Sequence, residues 1–376
     1  MRTLIAFGAL FIALSQPLPA QAGHPGSITD IVAASGGKFD RNRDDFDILL
    51  NAVLAAELDG VLADPEADFT VFAPNDRAFI RLAREFGYKR GGEAVAFDTI
   101  VAALTGLSDG DPIPLLRNIL LYHVSPGGKS LHEVQDTPVI DTGLDGVTVV
   151  SARNRLLDNE PDVKDPRFKK DFTDIAAQNG IIHVINRVLI PLDIDNTDDA
   201  NLSTISGVVA ASGGVFDHDR RDFDILLTAL QAANLVSALD NAGDDLTVFA
   251  PNDAAFIRTA RNLGYRGHTE DGAFSFIVSA LTELGGGDPI PLLTNVLLYH
   301  VAPERLSAKT VLESDAIGTL LMDAEFTVDA LDRRLIDNDP NLRNPRVLIN
   351  RSSIRTSNGF INTISRVLIP VDLSTL

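Results

Sequence analysis

The heptapeptide TVFAPND stands at residues 70–76 and again at 247–253, and the copying extends far beyond those seven letters. SGGKFDRNRDDFDILL (35–50) returns as SGGVFDHDRRDFDILL (212–227) at the same offset of 177. TVFAPNDRAFIRLAREFGY (70–88) agrees with TVFAPNDAAFIRTARNLGY (247–265) at 15 of 19 positions. GDPIPLLRNILLYHVSP (110–126) returns as GDPIPLLTNVLLYHVAP (287–303). NGIIHVINRVLIPLD (179–193) matches NGFINTISRVLIPVD (358–372) at an offset of 179, so the second copy gains two residues after Pro303. Solenoids and propellers repeat every 20–50 residues, whereas a repeat of this length is a whole domain. The chain must therefore close two cores, one per copy.

The first 22 residues have no counterpart in the second copy. Arg2, the apolar run LIAFGALFIAL (4–14) and AQA (20–22) have the order of a secretory signal peptide, cleaved before Gly23. The expected division is 1–22 signal peptide, 23–194 first domain, 195–201 polar linker and 202–376 second domain. A secreted or periplasmic location follows. With no cysteine in the chain, disulfides are excluded and hydrophobic burial alone must hold each domain. The net charge of −20 disfavours nucleic acid and anionic membranes, and no later apolar run is long enough to insert in a bilayer.

Within each copy, helices come mostly first and strands mostly second, which predicts an α+β class. In the first copy the spacing predicts helices over 27–35, 44–58, 75–86, 96–106 and 111–124. Strands are expected over 68–74, 147–152, 154–159 and 180–191. Ser27 is the expected first N-cap, with Asp30 completing a capping box. Phe46, Leu50, Val53 and Leu54 are read as the buried face of the second helix. Pro74 stops a strand and Asn75 or Asp76 caps the next helix. Asp111 is expected to cap the last helix, with Pro112 at its first position.

TVFAP followed by Asn-Asp and Ala-Phe, then Tyr-His at a helix end, then NG-x-I-H-V-I-x-x-V-L-x-P, in which HVI becomes NTI in the second copy, resembles the fasciclin (FAS1) domain. The resemblance covers about 26–193 and 203–372. It implies two tandem FAS1 domains, each a compact α+β unit in which a β-sandwich wedge packs against helices. It further implies an extracellular, non-catalytic module of cell adhesion or matrix contact, whose partner is a protein or polysaccharide of a cell surface or matrix. Some algal members carry carotenoids, so a soluble carrier of an apolar ligand is the alternative function.

The family's Tyr-His motif falls on Tyr122–His123 and Tyr299–His300. The surrounding NILLYHV is apolar, so Tyr122 is expected to pack inward and His123 to satisfy a buried backbone partner. The last-strand motif places His183 in the first copy and Asn362 in the second. If that histidine had a functional role, the second domain would lack it.

The acids of FDRNRDDFD (39–47) and FDHDRRDFD (216–224) bring together Asp40, Asn42, Asp45 and Asp47, and Asp217, Asp219, Asp222 and Asp224. Calcium takes six to eight such oxygens. The EF-hand pattern nevertheless fails, with no glycine at the sixth position and Asn51 or Thr228 at the twelfth. Helix capping with salt bridges from Arg43 and Arg220 is the favoured account, and calcium the alternative. No other cofactor is implied. The seven histidines show no catalytic or metal-binding spacing.

Overall fold

The computed structural model describes residues 25–35, 37–108, 110–194, 202–212, 216–217 and 219–373. The expected signal peptide (1–22) and linker (195–201) lie outside the described residues.

The first domain opens with α1 (Ile28–Ala34), where the Ser27 hydroxyl accepts from the Asp30 amide and the Asp30 carboxylate accepts from Ser27. Helices α2 (Asp47–Ala55) and α3 (Asp59–Ala63) lead into β1 (Phe69–Pro74), which ends on its proline. Asn75 caps α4 (Asp76–Glu85) by accepting from the Ala78 amide at 3.2 Å. Then come α5 (Glu93–Leu107) and α6 (Ile113–Tyr122), followed by β2 (Val124–Pro126), α7 (Leu131–Asp136) and β3 (Val139–Asp141). The domain closes with β4 (Thr148–Ser151), β5 (Leu156–Leu157), β6 (Ile175–Ala177) and β7 (Gly180–Ile185).

Two sheets form. One runs β2-β1-β7-β6 and the other β3-β4-β5. The central pairing of β1 with β7 is parallel, joining strands over 100 residues apart from Phe69↔Gly180 to Pro74↔Ile185. The register depends on Gly180, whose φ is +147° and whose hypothetical Cβ would stand 1.9 Å from the Phe69 carbonyl oxygen. Gly359 meets the Leu246 carbonyl oxygen in the same way in the second domain.

The four-stranded sheet divides the domain into two cores. On one side it packs against α1, α2, α4, α5 and α6 through residues such as Ile48, Val71, Phe79, Ile100 and Ile182. On the other it faces the three-stranded sheet across Phe72, Tyr122, Ile140, Val149 and Phe168. This is the β-sandwich wedge with helices on one flank.

The second domain repeats the plan with α8 (Ile205–Ala211), α9 (Asp224–Ala232), β8 (Leu246–Pro251), α10 (Asp253–Asn262), α11 (Glu270–Leu284) and α12 (Ile290–Tyr299). It continues through β9 (Val301–Ala302), α13 (Ala308–Glu313), β10 (Ala316–Gly318), β11 (Glu325–Asp329), β12 (Arg334–Ile336), β13 (Ile354–Thr356) and β14 (Gly359–Ile364). Its sheets run β13-β14-β8-β9 and β10-β11-β12.

The two domains touch. Val150, Ala152 and Leu157 of the first domain pack into the sandwich core of the second. The Arg355 side chain, 10% exposed, pairs with Asp162 at 3.0 Å and Asp193 at 2.8 Å. The Thr148 hydroxyl donates to the Glu313 carboxylate across the same boundary.

Several expected boundaries move. Helix α2 begins at Asp47 rather than residue 44, because the Asp76 carboxylate takes the Asp47 and Ile48 amides at 3.2 and 2.8 Å. Its buried face is Ile48, Leu49, Ala52 and Val53, while Leu54 is 48% exposed. Helix α5 starts at Glu93 instead of residue 96. Helix α6 starts at Ile113, with Pro112 as the cap residue and the Asp111 carboxylate accepting from the Ile113 amide at 3.1 Å.

Candidate functional sites

The Tyr-His motif is built into the interior. Tyr122 is fully buried and its hydroxyl donates to the Thr148 carbonyl at 2.8 Å; Tyr299 does the same to Glu325 at 2.9 Å. His123 ends α6. Its Nε2 accepts from the Leu189 amide at 2.8 Å, so its Nδ1 carries the proton and donates to the Ile119 carbonyl at 2.7 Å. His300 makes the matching pair with Leu368 at 2.9 Å and Val296 at 2.7 Å. Burial pushes both imidazoles down to about 4, which keeps them neutral. The motif thus ties the end of a helix to the segment after the last strand.

His183 and Asn362 prove interchangeable in partners. His183 Nδ1 accepts from the Asp174 amide at 3.1 Å and Nε2 donates to the Lys129 carbonyl at 2.9 Å. Asn362 accepts from the Ser353 amide at 2.9 Å and donates to the Leu306 carbonyl at 2.8 Å. Both side chains are fully buried. One acceptor and one donor at the same spacing suffice, so the exchange loses no hydrogen bond.

The acidic loops gather differently from the sequence expectation. Asp40, Asp47 and Glu93 form one group and Asp45, Asp47 and Asp76 another, each with one oxygen per residue within 4.8 Å of the others. Asp217, Asp224 and Glu270, and Asp222, Asp224 and Asp253, repeat the arrangement. Asn42 stays outside: its side chain accepts from the Asp44 amide on the exposed loop. Asp219 likewise turns to the Arg221 amide.

Arg43 and Arg220 do not neutralise the cluster. Arg77 and Lys169 pair with Asp44 at 3.3 and 2.9 Å, and Arg220 donates to the His268 carbonyl. Two like charges 4.8 Å apart repel by about 3.5 kcal/mol at an effective dielectric near 20. Five carboxylates therefore cannot all ionise without a counter-charge. Burial first, then the neighbouring carboxylates, raises Asp76 well above the usual carboxylate range, and burial raises Asp47 and Glu93. Sequence spacing missed Glu93 and Glu270, which arrive from α5 and α11. Asp76, read as a possible cap of α4, instead takes the first amides of α2, and Asp253 does the same for α9.

Between the domains lies a cleft of about 560 Å³ walled by arginines: Arg153, Arg155 and Arg167 from the first domain, Arg333, Arg346 and Arg351 from the second. No acidic residue lines it among the described residues. Asp165 pairs with Arg155 at 3.1 Å and Asp332 with Arg346 at 3.5 Å, which offsets part of the charge. The Nε of Arg333 has no partner, and burial with neighbouring Arg153 and Arg346 makes its charge costly. Arg153 and Arg333 project from left-handed turns, at φ +61° and +56°.

The second domain also carries an apolar cleft of about 420 Å³ between α11, α12 and the C-terminal segment, lined by Phe256, Phe276, Leu281, Leu293 and Val371. Ile277 and Leu281 are only half-buried there, whereas their counterparts Ile100 and Leu104 are buried in α5. Among the described residues no helix is long and apolar enough to cross a membrane.

Residues 44–191 and 221–370 each match the Fasciclin domain, and the chain belongs to that family. It is 28% identical over 172 residues to Protein sll1483 of Synechocystis sp., covering 46% of this chain and 78% of that one. It is 28% identical over 270 residues to a fasciclin-like arabinogalactan protein of Arthroderma benhamiae, covering 68% of this chain and 51% of that one. Periostin of Homo sapiens is 25% identical over 167 residues, 44% of this chain but 17% of periostin. A FAS1 domain pair from the insect cell adhesion molecule Fasciclin I aligns over 86% of this chain and 95% of that one, at 15% identity and a TM-score of 0.32.

Proposed function

We propose that this chain is an exported, non-catalytic adhesion module that grips an anionic polysaccharide of a surface or matrix through the cleft between its domains. The observation that carries the reading is the arginine wall. In a chain of net charge −20, six arginines converge from both domains on one cleft with no acid in its lining. Guanidinium forks pair bidentately with carboxylate and sulfate, the groups such polymers repeat. Overall acidity keeps the rest of the surface from binding the same polymer. Two domains also mean two half-sites held together, so neither half alone presents the full wall.

The test is attachment. A strain of the source organism lacking the gene loses surface attachment or matrix cohesion, and the wild-type gene restores it. A gene carrying Arg153→Ser with Arg333→Ser does not restore it. Unchanged attachment in the deletion strain would refute the reading.

A second reading is favoured by one observation, the apolar cleft of the second domain, which suits part of a long apolar ligand such as a carotenoid. Protein purified from its own organism would then carry a visible absorption band. A featureless spectrum removes this reading.

A further inference from the structure

Each domain gathers a group of carboxylates, buried except for Asp40 and its counterpart Asp217. In the first domain they come from the loop before α2 (Asp40 and Asp45), the first turn of α2 (Asp47) and the first turn of α5 (Glu93). Asp76 stands behind them, with both oxygens already accepting backbone amides. Asp47, fully buried, belongs to both groups of converging oxygens. The nearest ion pairs, from Arg77 and Lys169, go to Asp44 instead.

A second observation is independent of this clustering. The Oδ2 of Asp47 and the Oδ1 of Asp45 accept nothing, in side chains 0% and 6% exposed. In the second domain the same holds for the Oδ1 of Asp222 and the Oε2 of Glu270, in side chains 9% and 2% exposed. A buried oxygen without a donor is missing either a proton or a cation. A hydrogen shared between Asp45 and Asp76 serves that contact, while Asp47 and Glu93 accept one backbone amide each, from Gly37 and Asp40, and make no ion pair among the described residues. A cleft of about 620 Å³ opens beside the group and provides a way in; Asp40, Asn42 and Glu93 line it together with Arg41, Arg43 and Arg77.

We propose that each domain binds one calcium ion, through Asp40, Asp45, Asp47 and Glu93 in the first and Asp217, Asp222, Asp224 and Glu270 in the second. All the donors are hard oxygens. Carboxylates that bind through one or both oxygens, completed by water from the cleft, suit the variable six- to eight-fold shell of calcium better than the small octahedron of magnesium. The ion would pin the loop before α2 to the start of α5, so its effect is on the rigidity of each domain. Calcium binding is read without any polymer, so its failure would leave the adhesion reading standing.

The experiment is calorimetric titration of the full chain, stripped with chelator, with calcium chloride up to about 5 mM, the upper range for extracellular sites. Two ions bind per chain, and melting rises by about 5 °C or more at saturation. Glu93→Gln and Glu270→Gln, at the edge of the group, each remove one equivalent while unfolding stays cooperative. The proposal is overturned if the wild type shows neither heat nor a melting shift, or if the double variant binds as the wild type does. Stability that rises on acidification but ignores calcium would mean that protons alone serve these oxygens, and would equally overturn it.

Discussion

Replacing His123 by alanine tests whether the Tyr-His motif holds the fold or meets a partner. The imidazole joins the Ile119 carbonyl to the Leu189 amide at 2.7 and 2.8 Å, with the ring 2% exposed. Alanine strands both backbone groups in the interior. Each stranded group costs about 1–3 kcal/mol, and the space left by the ring adds to that, so the loss is about 4 kcal/mol. For a domain of this size that lowers melting by about 10 °C. Differential scanning calorimetry of the full chain reads it, and the duplication supplies a control. His123→Ala lowers the transition of the first domain more than that of the second, and His300→Ala reverses the order. A variant that melts like the wild type yet no longer attaches would refute the reasoning and put the motif on a binding face.

The same histidines set an acid limit. Their folded pKa of about 4 lies below the unfolded value near 6.5, so the unfolded chain binds more protons between those values. Their contribution is complete above about pH 6.5 and is lost as pH falls through 4, about 3 kcal/mol per domain. Imidazole NMR signals should stay at the neutral position down to about pH 5; titration near 6.5 would contradict the burial. The carboxylate groups act with the opposite sign in calcium-free protein. Raised carboxyls such as Asp76 and Asp253 contribute most below the unfolded carboxylate pKa and less as pH rises. Asn362→His should change stability by less than about 1 kcal/mol, since histidine serves the equivalent partners in the first domain, whereas Asn362→Ala should cost about 2–4 kcal/mol by urea unfolding. Gly180→Ala drives a methyl into the Phe69 carbonyl and should abolish soluble folded protein; wild-type melting would refute the parallel register.

Local rules were legible residue by residue. The Ser27 capping box, the Asn75 cap and the proline stop at Pro74 need only a few neighbours in sequence, and each forms. The duplication pointed to two domains of one plan. What escaped was set by distant partners. The start of α2 depends on Asp76, 29 residues away from Asp47, and the central sheet pairs β1 with β7 across the whole domain. Glu93 belongs to the carboxylate group only because α5 returns its first turn to the loop before α2. The arginine cleft is written in separate stretches, Arg153 with Arg155 and then Arg167 in the first domain, Arg333 and then Arg346 with Arg351 in the second, which become neighbours only when the domains dock. Composition worked against seeing it, because a net charge of −20 argues for cationic partners everywhere else on the surface.

Binding of the purified full chain to dextran sulfate, compared with neutral dextran over a range of salt, tests the central claim most directly. The account predicts saturable binding to the sulfated polymer alone, weakening as salt rises, and at least about tenfold weaker for Arg153→Ser with Arg333→Ser. Equal binding to both polymers, no binding to either, or an unaltered isotherm for the double variant would contradict it.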